Sequence, residues 1–336
     1  MRDTGPMVVD RGRYADVVTP WERESWRAAA LDWVAGGLAG HGLRADGALE
    51  VRLRPWSVLV RVPVAGGPAV WFKASPPAGA FEGPLTAALA RWVPEHVLHP
   101  LAVDAARGWA LFPDGGDLFR AVLDSERVPP REWAALLRQY ASMQYDLVRR
   151  ADEIERLGVP AARTPGLPAL FDRLLAGNTA LGPDERARLD GLRPRLEDWC
   201  AELASLGVPD TLDHADLHDG QLFRPAAGRF TFFDWGDAAV SHPFCSLRVT
   251  AERACERYGP QVLPRLLAAY LEPWTGDGRT PAQLRRAAAL AWRLSVLSRA
   301  AAWGRTFPGA SGTGPGPGQT ARWLLELQAD PPFPGV

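Results

Sequence analysis

The sequence contains almost no lysine, asparagine or isoleucine. Among its 38 basic residues Lys73 is the only lysine, and Asn178 and Ile154 are likewise the only residues of their types. Such a bias towards Arg, Ala, Gly and Pro is typical of a GC-rich genome. A retained lysine therefore marks a candidate position where arginine does not serve, because ammonium is a compact point charge and guanidinium a wide planar fork. The alternative is that one lysine has survived by chance.

Cysteine, long apolar runs and net charge are also scarce. Cys200, Cys245 and Cys255 are odd in number and lack CxxC spacing, so we expect free thiols in a reducing cytoplasm. No apolar run is long enough to span a bilayer, and the N-terminus lacks the apolar core of a secretory signal. A net charge of -1 creates no global field that would attract nucleic acid or a membrane surface. With 336 residues, of which 47% are hydrophobic, the chain is long enough for two lobes with cores.

Chemistry-bearing side chains are concentrated in residues 207–237. Two apolar segments, one ending at Leu212 and one running from Phe230 to Phe233, lead into the acidic stretches HADLHDGQ and DWGD. We predict a hairpin that gathers Asp216 and Asp234 at one end. Such a pair suits phosphoryl transfer, in which one carboxylate orients an acceptor hydroxyl and takes its proton. The other carboxylate, together with a loop amide, holds Mg²⁺ on the nucleotide phosphates.

The same loop permits a different interpretation. His214, Asp216 and His218 alternate, so on a strand they would share one face. Imidazole and carboxylate ligands favour transition metals, which would make the protein a metallohydrolase. Further segments of the chain, described below, match the other elements that phosphoryl transfer needs and occur in the expected order. They favour phosphoryl transfer over this alternative.

HADLHDGQ and DWGD resemble the H-G-D-L-H-x-G-N loop and the later D-W motif of the aminoglycoside phosphotransferase branch of the protein-kinase-like superfamily. The resemblance implies an ATP-dependent kinase in which Asp216 is the catalytic base and Gln221 and Asp234 hold Mg²⁺. Gln221 stands where the family usually has Asn, which keeps the carbonyl ligand but adds one methylene. His214 is implied to brace the loop, and Asp237 to fix it by hydrogen bonds.

The resemblance extends to the N-terminal third of the chain. Residues 21–40 have helical spacing and residues 48–74 alternate as three strands, with Lys73 on the third, in VWFKA. This strand resembles V-A-I-K, whose lysine pairs with the α- and β-phosphates and with a helix glutamate. Glu82, in the first turn of the next helix, is the natural partner, although the helix dipole alone also favours an acid there.

Two further segments are implied to contact the nucleotide. The turn Arg54–Ser57 occupies the place of the glycine-rich phosphate loop but contains no glycine. The backbone N–H of Ser57 would serve in an anion-binding nest, and an ordinary hairpin turn with a packed Trp56 is equally compatible. Leu111 and Asp114 lie where kinase-like folds place the hinge whose backbone groups meet adenine.

We therefore predict an α+β protein with a two-lobed protein-kinase-like fold. Residues 1–114 form a nucleotide-binding lobe with a small antiparallel β-sheet, and residues 115–336 form a larger, mainly helical lobe for catalysis and acceptor binding. The family's C-terminal helices wall the acceptor pocket. The candidates in that region are Trp292, Arg293, Arg299 and Trp303.

The acceptor is expected to be a small-molecule hydroxyl, on an aminoglycoside, an amino sugar, a sugar or an amino alcohol. The sequence does not choose among these, nor between ATP and GTP, and an aminoglycoside would favour an acidic pocket. Transfer to a protein is disfavoured because no A-P-E segment follows Asp234. The alternative is a catalytically inactive nucleotide-binding protein of the same fold, to which Gln221 and the missing glycine loop point.

Overall fold

The chain divides into two units. The computed structural model describes residues 7–276, 278–308 and 316–333. Within these, residues 7–115 and 305–308 belong to the first unit, and the remaining described residues of 116–304 and 316–333 belong to the second. The short segment from Arg305 to Pro308 therefore belongs to the first unit, although the described segments on both sides of it in sequence belong to the second.

The first unit is built on a six-stranded sheet with two helices. Its elements in chain order are β1 (Met7–Asp10), α1 (Glu24–Gly40), β2 (Leu49–Arg54), β3 (Ser57–Val64), β4 (Gly67–Ala74), α2 (Glu82–Trp92), β5 (Ala102–Asp104) and β6 (Trp109–Pro113). The strand order is β1-β2-β3-β4-β6-β5. The predicted helix in residues 21–40, the three-strand meander and the helix that carries Glu82 are all present.

The predicted antiparallel sheet needs one correction at its edge. β1 pairs with β2 in parallel, from Met7 opposite Leu49 to Asp10 opposite Arg52, whereas every other pairing in the sheet is antiparallel. Three of the four β1 residues are exposed, so the segment shows no alternation of apolar and polar side chains. That pattern is the signal by which a strand is predicted, so residues 7–10 give no sequence signal of a strand.

Alternation decides which face of β4 each side chain occupies. Val58, Val60 and Phe72 are buried in the core that α1 covers, where Phe72 lies 5.8 Å from the ring of Trp109. Because side chains alternate along a strand, Lys73 points to the opposite face from Phe72. The register places Lys73 between Leu59 of β3 and Ala110 of β6.

The second unit is mainly helical. Its helices are α3 (Phe119–Ser125), α4 (Arg131–Leu147), α5 (Ala151–Arg156), α6 (Leu167–Gly177), α7 (Pro183–Asp190), α8 (Arg193–Ser205), α9 (Leu247–Tyr258), α10 (Leu263–Leu271), α11 (Pro281–Ala302) and α12 (Gly316–Leu325). Four short strands complete it, β7 (Thr211–Asp213), β8 (Leu222–Ala226), β9 (Arg229–Phe232) and β10 (Ala239–Ser241). None of the helices that the structure describes is both long and apolar enough to cross a membrane.

A hairpin forms within residues 207–237, but the segment that ends at Leu212 is not one of its strands. β8 and β9 pair with each other, whereas β7 pairs antiparallel with β10, Leu212 opposite Val240. The polar loop therefore connects two separate small sheets, and Asp216 lies in that loop. Apolar residue type predicts a strand but carries no information about its partner, so the pairing with β10 was not foreseeable.

Candidate active site

A buried carboxylate holds the start of the polar loop. Asp213 accepts hydrogen bonds from the backbone N–H of Ala215 at 2.9 Å and from the hydroxyls of Ser246 at 2.5 Å, Ser241 at 3.0 Å and Ser298 at 3.3 Å. Burial raises the pKa of Asp213, and these donors act against that rise. The sequence prediction missed this group, although a lone acid at the end of an apolar strand is a signal for a satisfied buried carboxylate.

His214 connects the loop to the segment before Asp234. Its ring Nε2 donates to the backbone carbonyl oxygen of Phe233 at 2.9 Å, and its backbone N–H donates to the Tyr140 hydroxyl at 3.0 Å. The side chain is fully buried, which lowers its pKa and keeps the imidazole neutral. His214 therefore fixes the loop against the strand exit that carries Asp234.

Ala215 has a left-handed backbone conformation. Its φ is +60°, and only one other described non-glycine residue, Asp234, shares a positive value. An L-residue in this region pays about 1–2 kcal/mol because its Cβ approaches the carbonyl oxygen. The motif that HADLHDGQ resembles, H-G-D-L-H-x-G-N, has glycine at this place, and glycine adopts the conformation without that cost.

We therefore predict that Ala215→Gly raises the free energy of unfolding by about 1 kcal/mol. The measurement is chemical denaturation of the variant beside the wild type. Ala238→Gly is the matched control, because Ala238 is also buried but has an ordinary φ of -58°. The control should lose stability, and a similar loss in Ala215→Gly would contradict the assigned strain.

Asp216 is half-buried beside an arginine. Its Oδ1 accepts from Nη2 of Arg299 at 2.7 Å, and its Oδ2 lies 3.7 Å from Nε2 of His218. Burial raises the pKa of Asp216 to about 7, with Arg299 opposing the rise and Asp237 and Asp234 adding to it. Nη1 of Arg299 also binds Asp237, so one guanidinium joins two carboxylates.

A second arginine holds the far side of the loop. Arg120 of α3 binds both carboxylate oxygens of Asp219, at 2.9 and 3.0 Å. His218 accepts from the backbone N–H of Gly220 through Nδ1 at 2.9 Å. Burial, with Arg120 adding to it, lowers the pKa of His218 to about 4, so this imidazole is neutral near pH 7.

The transition-metal alternative receives no support from this geometry. Within the part of the chain that the structure describes, no group of three or more His, Cys, Asp and Glu side chains is arranged to hold a metal ion.

Gln221 and Asp234 lie at the same end of the β8–β9 hairpin. The register pairs Leu222 with Phe232, and one step further the backbone N–H of Phe233 donates to the carbonyl oxygen of Gln221 at 3.2 Å. Asp234 follows directly, in the left-handed conformation with φ +63°. An amide carbonyl and a carboxylate are the hard oxygen donors that Mg²⁺ binds, so this pair fits the predicted metal.

In the first unit, Lys73 and Glu82 form an ion pair. Lys73 Nζ lies 2.7 Å from Glu82 Oε1, and their side chains are only 14% and 4% exposed. The second carboxylate oxygen of Glu82 accepts from the hydroxyl of Ser75 at 2.9 Å. Glu82 is thus oriented by two partners. Ser75, two residues beyond the lysine on the same face, was not predicted.

The remaining predicted nucleotide contacts also lie in the first unit. Ser57 opens β3 opposite Arg54 after a tight turn whose Trp56 packs edge-on against Tyr14 at 5.2 Å. Leu111 is buried, and its carbonyl oxygen accepts from Leu101 at 2.7 Å, so this backbone acceptor is already used within the sheet. Asp114 follows the end of β6.

The four candidates on and after α11 separate into two groups. Arg299 binds Asp216 and packs on the ring of Trp303 at 5.3 Å. Arg293 instead binds Asp330 at 2.7 Å, and Trp292 packs against Phe333 at 5.2 Å. Residues 292 and 293 lie about two turns earlier on the helix, roughly 10 Å from Arg299 along its axis. These two partners, Asp330 and Phe333, lie in the C-terminal segment rather than in the loop.

The two units and their site residues define a kinase-like phosphotransferase fold. The model of the phosphotransferase enzyme family, APH, matches residues 75–287, well over half of the chain. The protein therefore belongs to this family. No curated protein matches the chain by sequence.

Solved structures share the fold at low sequence identity. The macrolide 2'-phosphotransferase MphH of Brachybacterium faecium is 20% identical with a TM-score of 0.56, covering 88% of this chain and 98% of its own. The Plasmodium vivax ethanolamine kinase is 12% identical with a TM-score of 0.59, covering 91% and 88%. The GDP complex of aminoglycoside 2'-phosphotransferase-IIIa is 15% identical with a TM-score of 0.56, covering 89% and 98%.

Proposed function

We propose that the protein transfers the γ-phosphoryl group of ATP to a hydroxyl of a small molecule. The acceptor class comprises aminoglycosides, amino sugars, sugars and amino alcohols. The observation that carries this proposal is the loop and hairpin of the second unit, in which Asp216 lies with Gln221 and Asp234. Family membership supports the reaction type.

Asp216 acts as the base in this proposal. Arg299 holds Oδ1, which leaves Oδ2 to accept the proton of the acceptor hydroxyl. The hydroxyl oxygen then bonds to the γ-phosphorus, the bond to the β–γ bridging oxygen breaks, and ADP leaves. Gln221 and Asp234 would hold Mg²⁺, which offsets negative charge on the phosphates when bound.

The nucleotide is assigned to groups of the first unit. The ammonium of Lys73 binds the α- and β-phosphates, and Glu82 fixes its position, as their 2.7 Å pair supports. We further assign the backbone at Ser57 to the phosphates, and the segment containing Leu111 and Asp114 to the adenine. We place the reaction in the cytoplasm, in agreement with three unpaired cysteine thiols.

The relatives by fold differ in what their names say they act on. One is a macrolide phosphotransferase, one an ethanolamine kinase, and one an aminoglycoside phosphotransferase bound to GDP. All three are named for transfer to a small molecule, and one of them is a complex with GDP. They support the coarse reaction and leave the nucleotide base and the acceptor to measurement.

The test separates the kinase from an inactive nucleotide-binding protein. Thermal shift with ATP and GTP, each with Mg²⁺ or with EDTA, measures nucleotide binding and its metal dependence. ADP or GDP release is then measured with a panel of hydroxyl acceptors. Acceptor-stimulated release supports the kinase. Mg²⁺-dependent binding without any release, with or without acceptor, favours the inactive protein, and absence of nucleotide binding contradicts both.

We predict that Lys73→Arg raises the KM for ATP or lowers kcat while leaving folding nearly intact. The charge is kept, but the planar fork cannot reproduce the contact of a compact ammonium in this buried pair. A surface cation would tolerate the change within about 0.5 kcal/mol of stability and with unchanged kinetics. Steady-state kinetics and the melting temperature distinguish the two.

An independent measurement uses the fact that Lys73 carries the only side-chain amine. ATP with Mg²⁺ should protect this amine from an acylating reagent, and peptide mapping separates it from the N-terminal amine. Unchanged labelling under saturating nucleotide, together with wild-type kinetics for Lys73→Arg, would remove Lys73 from the site.

A further inference from the structure

A cation lies directly against the proposed base. Arg299 is 11% exposed, and its Nη2 lies 2.7 Å from Oδ1 of Asp216 while Nη1 binds Asp237. Burial opposes the charge of Arg299, but the two carboxylates outweigh it and raise its pKa. The group is therefore a permanent cation, held against Oδ1 of the carboxylate whose Oδ2 is assigned to receive the acceptor proton.

The guanidinium is enclosed by aromatic rings and keeps unused hydrogen-bonding capacity. Trp303 lies 5.3 Å and Trp323 5.7 Å from its central carbon. Its Nε is buried, and no residue of the described ranges accepts a hydrogen bond from it. Of the five N–H bonds that an arginine carries, two are directed at carboxylates and the Nε–H is buried, so the second N–H of Nη1 and of Nη2 are the donors left for an acceptor oxygen.

The carboxylates near Asp216 already have hydrogen-bond or ion-pair partners or an assigned role. Five aspartates lie in the loop and the hairpin exit: Asp213, Asp216, Asp219, Asp234 and Asp237. Three serine hydroxyls enclose Asp213, Arg120 binds Asp219 and Arg299 binds Asp237. Asp234 is assigned to Mg²⁺ in the proposed function. Ammonium groups of an acceptor would thus meet a guanidinium rather than an unpaired carboxylate.

We propose that Arg299 is the specificity-determining residue of the acceptor site and directs the enzyme to uncharged or anionic polyhydroxyl acceptors, such as sugars and sugar acids, and against amines. The inference rests on the proposed function, because it assigns the acceptor to the side of Asp216. A fixed guanidinium donates to hydroxyl, carbonyl and carboxylate oxygens beside the reacting hydroxyl. The same charge repels an ammonium group at that place, so amino sugars and amino alcohols are disfavoured.

The experiment compares acceptors that differ mainly in charge. D-glucosamine, N-acetyl-D-glucosamine and D-glucuronate supply a cation, a neutral molecule and an anion, and kanamycin supplies a polycation. At neutral pH we expect kcat/KM for the neutral and anionic sugars to exceed that for glucosamine by roughly tenfold or more, the ratio for one hydrogen bond to a charged group. ADP release with saturating ATP and Mg²⁺ is the readout.

Variants test whether Arg299 sets that ratio. Arg299→Gln should bring the ratio of kcat/KM for the neutral and anionic sugars to kcat/KM for glucosamine close to one. Arg299→Lys should keep most of that preference because the charge remains. The matched control is Arg286→Gln, on the same helix, whose arginine pairs with Glu202 at 2.6 Å. It should leave both the ratio and kcat unchanged. A change in folding alone would alter all acceptors equally, so the ratio is the informative quantity.

Three results would overturn the inference. Preference of the wild type for glucosamine or kanamycin is one, and an unchanged ratio in Arg299→Gln is another. Phosphorylation of none of the four molecules, while Mg²⁺-dependent ATP hydrolysis without acceptor is measurable, contradicts the acceptor class but not the kinase. Absence of both nucleotide binding and hydrolysis contradicts the proposed function, and the inference falls with it.

Discussion

Asp216→Asn should lower kcat by a factor of about 10²–10⁴, the range for general-base catalysis. Asparagine has nearly the same shape and can still accept a hydrogen bond from Arg299, so the loop should keep its position. Its amide cannot take the proton of the acceptor hydroxyl. Nucleotide binding should be retained, because Asp216 is not among the residues assigned to the nucleotide or to Mg²⁺. Steady-state kinetics and ATP titration measure the two effects separately.

The pH dependence of the wild type supplies a check on this role. Because burial raises the pKa of Asp216 to about 7, kcat/KM should fall as the pH is lowered through that value and the base is protonated. His214 and His218 have lowered pKa values and stay neutral near pH 7, so their protonation does not cause this fall in kcat/KM. The residual activity of Asp216→Asn should not show this fall in kcat/KM as the pH is lowered.

Stability distinguishes a lost base from a damaged fold. A carboxyl whose folded-state pKa is raised binds more protons in the folded than in the unfolded state between about pH 4 and 7, so its contribution to stability is lost as pH rises through that window. Asp216→Asn removes the effect and should be no less stable than the wild type above pH 7. Turnover within a factor of about two of the wild type, against the range expected for a base, would exclude Asp216 from its role.

The predicted elements of the site follow from local signals. Alternation along β4 predicts the face on which Lys73 lies. The position of Glu82 in the first turn of the following helix predicts that its carboxylate is within reach of that lysine. The structure pairs Lys73 with Glu82 at 2.7 Å. Gln221 and Asp234 are likewise brought to one hairpin end by short-range pairing. Residue type, strand period and chain order are sufficient for contacts of this kind.

The groups that surround Asp216 depend on contacts between distant parts of the chain. Arg299 comes from α11, and Ser298, one residue earlier on the same helix, reaches Asp213 instead. Helical periodicity shows that residues 299 and 303 share a face, but it does not tell which element that face meets. The packing of α11 against the loop decides the charge beside the base. Residue patterns within either segment do not contain that information.

Substitution of Asp234 is expected to have the second large effect on catalysis. The backbone conformation of this residue determines which substitutions are informative. Its φ of +63° would be strained in Asp234→Ala, which therefore loses a ligand and stability together. Asp234→Gly removes the same carboxylate but accepts this conformation. Both should lose the Mg²⁺-dependent increase in ATP affinity and lower kcat by on the order of 10² or more, as when one group that stabilises transition-state charge is removed.

The comparison between these two variants separates the metal from the fold. Calorimetric titration of ATP with Mg²⁺ or with EDTA should show equal affinities in Asp234→Gly, while the wild type binds more tightly with Mg²⁺. Alanine should be less stable than glycine at this position by about 1 kcal/mol, with the same defect in metal dependence. Gln221→Asn, which keeps an amide carbonyl, should retain most of the Mg²⁺ effect. If Mg²⁺ still tightens ATP binding fully in Asp234→Gly, the carboxylate does not hold the ion, and the strained conformation of Asp234 has some purpose other than presenting a metal ligand.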